Sequence, residues 1–130
     1  MTDSMTELSP KTLALIKSLQ GKPFSVEVHG ISMNPTLYEG DHVLVQRFDT
    51  YIEGDILVYD YGQEGLLIHR LIHLEHGLYH CRGDNTIRIE RISLKRILGK
   101  VISFEDDRPV PEYPANHWNP TEAPDAHKMK

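Results

Sequence analysis

The chain has 130 residues, a formal net charge of −5, 39% hydrophobic residues and 25% charged residues. This length and balance are typical of one globular domain that buries its own core, and they exclude a disordered chain. The 14 basic residues are outnumbered by 19 acidic ones. Because binding to a phosphate backbone needs a positive surface, no nucleic-acid partner is predicted.

The first predicted element is a short amphipathic helix that follows a polar, disordered start at residues 1–7. Ser9 is the expected N-cap, Pro10 occupies the first helical position, and Gly21 and Pro23 end the helix. The expected apolar stripe consists of Leu13, Leu15, Ile16 and Leu19. We expect this stripe to pack on a sheet.

From Phe24 the hydrophobic pattern changes to a period of two, which predicts a half-buried strand. Further short strands, separated by glycine-rich turn signals, are predicted at 42–48, 55–61, 66–74, 78–82 and 97–104. A single helical turn at 93–96 is expected before the last of them. The predicted fold class is therefore all-β, a mainly antiparallel sheet curled toward a barrel, with one short N-terminal helix.

One folded domain is predicted over residues 8–104. After Phe104 the composition shifts to acidic residues and repeated prolines. This composition predicts an extended, poorly ordered tail over residues 105–130.

Cysteine content and hydropathy set two further limits. A lone cysteine, Cys81, excludes an internal disulfide and is interpreted as a small apolar residue on a strand. The sequence has no run of about 18 apolar residues, and its start has no basic stretch followed by an apolar segment. We therefore expect a soluble, cytoplasmic protein that would reach a membrane only through a partner protein.

The segment 30–41 places a serine in an informative setting. Its sequence is Gly-Ile-Ser-Met-Asn-Pro-Thr-Leu-Tyr-Glu-Gly-Asp, with Ser32 as the third residue. Three further blocks follow in order: Gly-Asp-Ile-Leu-Val-Tyr at 54–59, His-Arg-Leu-Ile at 69–72 and Gly-Asp-Asn at 83–85. Together the four blocks resemble the superfamily that contains the type I signal peptidases and the LexA-type self-cleaving repressors.

This resemblance implies that Ser32 is a nucleophile, and a serine hydroxyl needs a base that removes its proton. Most bacterial signal peptidases and the repressors carry a lysine where this chain has His69. The endoplasmic-reticulum and archaeal-type signal peptidases carry a histidine there, so the chain resembles the histidine type and His69 is the expected base. An imidazole can be deprotonated near neutral pH without burial, whereas a lysine must be desolvated. The alternative is a core histidine that bonds to the backbone.

Asp84 falls where histidine-type signal peptidases need a carboxylate, so the resemblance implies that it orients His69. The alternative is an ordinary turn in which Asp84 caps backbone amides. Those enzymes carry another aspartate further on, and Glu90 stands in the corresponding place here. Arg70 is expected on the opposite face of the strand from His69, where it would hold a carboxylate or a turn carbonyl.

The loop around Ser32 also supplies the predicted substrate and oxyanion region. The Ser32 amide is the expected donor to the oxyanion. Gly30 is expected to adopt a positive φ or to admit a substrate backbone, and Ile31 to shape the loop. Met33 is expected to set the shape of the loop and to pack on the barrel.

Several histidines cluster in sequence near His69, at positions 73, 76 and 80. On strands and a turn their side chains would diverge, and no helical His-x-x-x-His pair with a glutamate base is present. We therefore predict no metal site and no cofactor.

The sequence as a whole predicts a soluble serine endopeptidase of the signal peptidase-like type that acts through an acyl-enzyme. Its expected partner is a peptide or protein substrate that adds as a strand beside the site, while the oligomeric state stays open. One alternative is a non-catalytic peptide-binding protein on the same fold. The other is a LexA-like self-processing module, which is disfavoured because no helix-turn-helix precedes residue 24 and no Ala-Gly dipeptide occurs.

Overall fold

The structure, a computed structural model, describes residues 8–112. Helix α1 spans Pro10–Leu19, and the strands are β1 Phe24–Glu27, β2 His42–Gln46, β3 Ile56–Asp60, β4 Leu66–Glu75, β5 Leu78–Arg82, β6 Glu90–Ile92 and β7 Ile97–Phe104. Short 3-10 turns occupy Gly62–Glu64 and Leu94–Arg96. The predicted disordered start and most of the predicted tail, residues 1–7 and 113–130, lie outside the described residues.

The seven strands form one sheet in the order β1-β2-β7-β3-β4-β5-β6. Every pairing in it is antiparallel. Register shifts interrupt three of the ladders, between Leu44 and Val45, between Val58 and Tyr59, and between Leu71 and His73. Such irregularities bend and twist a sheet, which gives this one its curl. The predicted fold class, all-β and mainly antiparallel with one short helix, is confirmed.

Strand β6 is the element that the sequence pattern does not predict. Three residues are too few for a period of two to stand out. In the structure β6 pairs with β5, with Glu90 opposite Cys81. Glu90 and Ile92 are buried while Arg91 between them is exposed, so the pairing turns a carboxylate into the interior.

The sheet contributes to two apolar clusters, and the alternation of side chains along β3 explains why. Ile56 and Val58 belong to the first cluster, which includes residues of α1 and of the loop around Ser32. Leu57 and Tyr59 belong to the second, which lies against β4, β5 and β6. Because both faces of β3 are covered, a polar group on this strand must find a partner inside the protein.

Helix α1 begins as predicted, with Pro10 at its start and the Ser9 hydroxyl accepting a hydrogen bond from the Thr12 amide at 3.1 Å. The predicted apolar stripe is correct for Leu15, which is partly buried against the first apolar cluster, and wrong for its other three residues. Leu13, Ile16 and Leu19 are exposed, and the buried residues are Ala14 and Ser18.

Close contact with the sheet is the reason for this orientation of α1. The Ser18 hydroxyl donates to the Leu98 carbonyl oxygen of β7 at 2.7 Å, and small side chains allow that approach. No helix in the described part of the chain is long and apolar enough to cross a bilayer.

The folded unit continues past the predicted boundary at residue 104. The Phe104 amide donates to the Arg108 carbonyl oxygen at 2.9 Å, which closes a turn after β7. Val110 then packs against the first apolar cluster. The first residues of the predicted tail therefore contact the sheet and the first apolar cluster.

An ion pair between Lys11 and Asp60, 2.6 Å apart, fixes the first turn of α1 to the end of β3. The hydrogen bond from Lys11 lowers the pKa of Asp60. A lowered carboxyl pKa contributes stability above the unfolded-state value, and that stability is lost as the pH falls through the folded-state value. We expect Asp60→Asn to lower the free energy of unfolding by up to about 1 kcal/mol at pH 7.

Urea unfolding at a series of pH values checks this expectation. The difference from wild type should stay constant from pH 7 down to about 4 and shrink as the pH is lowered further, because the Asp60 carboxylate of wild type is then protonated as well. Asp49→Asn, at an exposed aspartate, is the control and should show no such trend. A difference that stays constant with pH would contradict the assigned role of the ion pair.

Candidate active site

Ser32 lies in the loop between β1 and β2, where the chain makes consecutive turns. Gly30 enters the loop with a φ of 79°, a conformation that favours glycine and that the sequence predicts. The Asn34 amide donates to the Ile31 carbonyl oxygen at 3.1 Å and so closes a turn around Ser32. Within residues 8–112 the Ser32 amide itself donates to no protein acceptor. It therefore remains available to a ligand.

The block at 83–85 holds this loop in place. The Asn85 amide donates to the Ser32 carbonyl oxygen at 2.8 Å, and the Asn85 side chain donates to the Ile31 carbonyl oxygen at 3.2 Å. Gly83 has no space for a side chain, because a Cβ atom there would lie 2.5 Å from the Ser32 carbonyl oxygen and 3.2 Å from the His69 ring. A glycine at this position lets the loop approach strand β4.

His69 projects from the middle of β4 toward Ser32 and is buried. Its Nε2 atom lies 3.1 Å from the Ser32 hydroxyl oxygen, and its Nδ1 atom lies 2.7 Å from Glu90 Oε1. An ionised carboxylate only accepts hydrogen bonds, so the proton of a neutral imidazole belongs on Nδ1. Nε2 is then left to accept the proton of the Ser32 hydroxyl.

Glu90 is almost completely buried, with its side chain 1% exposed, and it receives three hydrogen bonds. Its Oε1 atom accepts from His69 and from the Tyr59 hydroxyl at 2.6 Å, and its Oε2 atom accepts from Arg88 Nε at 2.7 Å. Burial opposes ionisation of Glu90, but the hydrogen bonds from these three residues outweigh burial and lower its pKa. Burial also raises the pKa of Tyr59, which keeps its hydroxyl protonated as a donor.

Asp84 does not take the place beside His69 that the resemblance implies. Its carboxylate receives two hydrogen bonds from Arg70, from Nε and from Nη2, each 2.7 Å long, and a third from the Thr36 hydroxyl. Side chains alternate along a strand, so adjacent residues of β4 face opposite sides, and Asp84 lies on the side of Arg70. Arg70 also donates to the Gly54 carbonyl oxygen at 2.7 Å, as predicted for a residue on the opposite face from His69.

The structure thus brings together three of the predicted site residues, Ser32, His69 and Glu90. Met33 packs in the first apolar cluster and accepts a hydrogen bond from the Asp84 amide through its sulfur at 3.4 Å. Ile31 is 64% exposed beside Ser32.

Two residues of the hydrogen-bond network, Tyr59 and Arg88, are absent from the prediction, although the sequence carries a signal for each. Tyr59 stands in a strand with both faces apolar, where a buried hydroxyl needs a partner. Arg88 and Glu90 are two residues apart, the spacing that puts side chains on one face of an extended segment.

A groove with a volume of about 530 Å³ opens beside Ser32 and His69. Residues 25–29, in and after β1, form one wall, and residues 66–69 of β4 form the other. Ala14 of helix α1 and Met33 also line it. The groove therefore has a mixed apolar and polar lining, and the Ser32 side chain is part of it.

The other histidines within residues 8–112 are spread over the surface of the fold and are not gathered at one point. Among the residues that the structure describes, no group of three or more histidine, cysteine, aspartate or glutamate side chains is arranged to hold a metal ion. His73 contacts Glu75, with 3.2 Å between Nε2 and Oε1, and packs edge-on against the ring of His80.

Comparison with protein families identifies the family of this chain. The sequence profile of the family described as Peptidase S24-like matches residues 2–102. The chain belongs to the Peptidase S24-like family. This membership confirms the predicted resemblance to the superfamily of LexA-type proteins and signal peptidases. The matched range of this Peptidase S24-like protein contains Ser32, His69 and Glu90. A search of curated proteins finds no significant match.

Placement of Asp84 beside Arg70 predicts a structural role for this carboxylate. Both side chains are buried, at 7% exposure for Arg70 and 1% for Asp84, so removing the anion leaves a buried positive charge less compensated. We expect Asp84→Asn to lower the free energy of unfolding by roughly 3 kcal/mol.

Denaturant unfolding measures this change. Asp41→Asn is the matched control, since Asp41 accepts a hydrogen bond from the Tyr38 amide at 2.8 Å and asparagine can accept the same bond. A loss of less than about 0.5 kcal/mol for Asp84→Asn, similar to that of the control, would contradict the structural role.

Proposed function

We propose that this Peptidase S24-like protein is a serine endopeptidase, with Ser32 as nucleophile, His69 as general base and Glu90 as the carboxylate that orients His69. One observation carries the proposal: Ser32, His69 and Glu90 form an unbroken series of contacts of 3.1 and 2.7 Å. A serine whose hydroxyl bonds to a base, with the base held by a third group, is the arrangement that activates a nucleophile.

The mechanism follows from these contacts. As Ser32 Oγ attacks the carbonyl carbon of the scissile peptide bond, its proton moves to His69 Nε2. The resulting imidazolium is stabilised by the Glu90 carboxylate at Nδ1, while the Ser32 amide donates to the carbonyl oxygen as it becomes negative. His69 then gives the proton to the leaving amine, and the acyl-enzyme forms. Water, deprotonated by the same base, hydrolyses the acyl-enzyme in the second half of the reaction.

The edge of strand β1 suggests how a peptide is held in the groove. The Val28 amide donates to the Asp41 carbonyl oxygen at 2.8 Å, and the Val28 carbonyl oxygen accepts from the Gly40 amide at 2.9 Å. Along an edge strand, the backbone groups of alternate residues bond to the neighbouring strand, and those of the residues between them point away from it. Val28 bonds on the β2 side, so the backbone groups of Ser25 and Glu27 point away from β2, toward the groove. An extended peptide can add to this edge as a strand and present a carbonyl to Ser32.

Two other functions would use the same fold. A non-catalytic peptide-binding protein would hold a peptide in the groove without forming an acyl-enzyme. A LexA-like module would cleave its own chain and would shorten on incubation. The hydrogen-bonded serine and histidine favour an enzyme over the binding protein, and a groove open to an extended peptide favours cleavage of a separate substrate.

The nucleophile is tested by Ser32→Ala. We expect wild type to react covalently with a serine-directed phosphonate and to gain its mass at Ser32, and the variant to show no adduct. Its free energy of unfolding should change by less than about 0.5 kcal/mol, because Ser32 is only half-buried.

Ser25→Ala, an exposed serine in the wall of the same groove, should keep the adduct and serves as the control. Intact-protein mass spectrometry measures the mass of the adduct on wild type, Ser32→Ala and Ser25→Ala. The same spectra show whether the chain has shortened. Absence of an adduct on wild type under conditions that label a known serine hydrolase would favour the peptide-binding function.

The orienting carboxylate is tested by Glu90→Gln. An amide can donate to Nδ1 and so stabilise the tautomer that carries its proton on Nε2, where it cannot accept from Ser32. We expect the turnover number to fall by about four powers of ten, the size of the effect known for such a change. Peptide hydrolysis should be compared with that of Glu53→Gln, an exposed glutamate outside the network. Turnover within a factor of about three of wild type would remove Glu90 from the mechanism.

A further inference from the structure

Arg88 connects the buried site to the rim of the groove. Its Nε atom donates to Glu90 Oε2 at 2.7 Å, on the oxygen that His69 does not use. The two terminal nitrogens of the same guanidinium donate to Glu64, at 3.0 and 3.4 Å. Glu64 belongs to the short turn after β3 and lines the groove.

The two ends of this connection differ in burial. The Glu90 side chain is 1% exposed, whereas the Arg88 side chain is 54% exposed and that of Glu64 is 48% exposed. The Arg88 guanidinium also lies over the ring of Tyr61, 5.5 Å from its centre. Arg88 is thus a cation held between two anions and one aromatic ring, with one face toward solvent and the other toward the site.

We propose that Arg88 is a positioning residue that fixes the carboxylate plane of Glu90 against His69 and sets the pH at which the base becomes protonated. This inference rests on the proposed peptidase function. With Oε2 held by Arg88 and Oε1 shared by Tyr59 and His69, the carboxylate cannot turn away from Nδ1. The positive charge of Arg88 also weakens the attraction of Glu90 for an imidazolium.

Two of the other groups that face this network, Tyr59 and Cys81, carry no charge. Burial raises the pKa of the Tyr59 hydroxyl and of the Cys81 thiol, so both stay neutral. Glu64 is the charged group that contacts the outer side of Arg88, and as an anion it offsets part of the effect of Arg88. Loss of Arg88 and loss of the Glu64 charge should therefore shift the pH dependence in opposite directions.

The test is the pH profile of kcat/KM for wild type, Arg88→Met, Arg88→Lys and Glu64→Gln. Without the Arg88 cation, His69 is protonated more readily, so we expect the acid limb to move up by about 0.5 to 1 pH unit. The plateau rate should fall roughly tenfold because Glu90 is less well held. In Arg88→Lys the acid limb should lie close to its wild-type pH, because lysine keeps the positive charge. The plateau value of kcat/KM should recover less, because lysine lacks the planar guanidinium that makes several hydrogen bonds at once. Glu64→Gln should move the limb down by a few tenths of a unit.

Arg91→Met is the matched control, because Arg91 is an arginine close to Arg88 in sequence, but its side chain is exposed on β6 between Glu90 and Ile92. It should leave both limb and plateau unchanged. A profile of Arg88→Met that superimposes on that of wild type would overturn the proposal. The proposal requires the acid limb to move up in Arg88→Met and down in Glu64→Gln. Shifts of both variants in the same direction would also overturn it, because a general loss of structure would explain them equally well.

A second measurement does not depend on turnover. In ¹⁵N-labelled full-length protein, we expect the Nδ1 proton of His69 to give a downfield, slowly exchanging signal in wild type and in Arg91→Met. The signal should weaken or exchange faster in Arg88→Met. If wild type does not hydrolyse peptides, the proposed function fails while this signal still decides the role of Arg88. If wild type is active and the signal is the same in all three proteins, the proposed role of Arg88 is wrong and the proposed peptidase function stands.

Discussion

The buried charge of Glu90 is the constraint on which the rest of the site depends. A carboxylate removed from water is costly unless donors surround it. Here the donors come from three separate parts of the chain: His69 on β4, Tyr59 on β3 and Arg88 before β6. The short pairing of β6 with β5 is what carries Glu90 inward, so a minor element of the sheet determines the orientation of the imidazole.

Strand β4 separates two charged networks that begin at adjacent residues. His69 faces the Glu90 network and Ser32, while Arg70 faces Asp84 and a carbonyl oxygen of the turn before β3. Both carboxylates are buried, but they serve different purposes. Glu90 contacts the histidine and can act on its chemistry, whereas Asp84 joins β4 to the segment that supports the nucleophile loop.

The close fit of the nucleophile loop against residues 83–85 explains how a surface loop can hold a serine to within hydrogen-bond distance of a buried histidine. The Asn85 amide and side chain both bond to the loop backbone, and Gly83 leaves the space that this approach needs. Rigid support of this kind matters because a displacement of the serine by about 1 Å is enough to reduce catalysis strongly. The glycine and asparagine of this block therefore support the site through the backbone of the Ser32 loop.

Local sequence determined the strands other than β6, the cap of helix α1, the superfamily, and the placement of Ser32 and His69 on the loop and strand that carry them. These features depend on hydrophobic period, turn residues and short motifs, all of which are written within a few neighbouring positions. The face of α1 that packs was not determined in this way, because Ala14 and Ser18 are buried by close contact with β7 and not by their hydrophobicity.

Only the tertiary structure decided which carboxylate meets His69. Asp84 and Glu90 both follow the histidine in sequence and either could supply the charge. The choice depends on strand register: Cys81 pairs with Glu90 across β5 and β6, while alternation along β4 turns Arg70 toward Asp84. Register is a long-range property, set by side chains from several strands packing together, and no single segment of this chain encodes it.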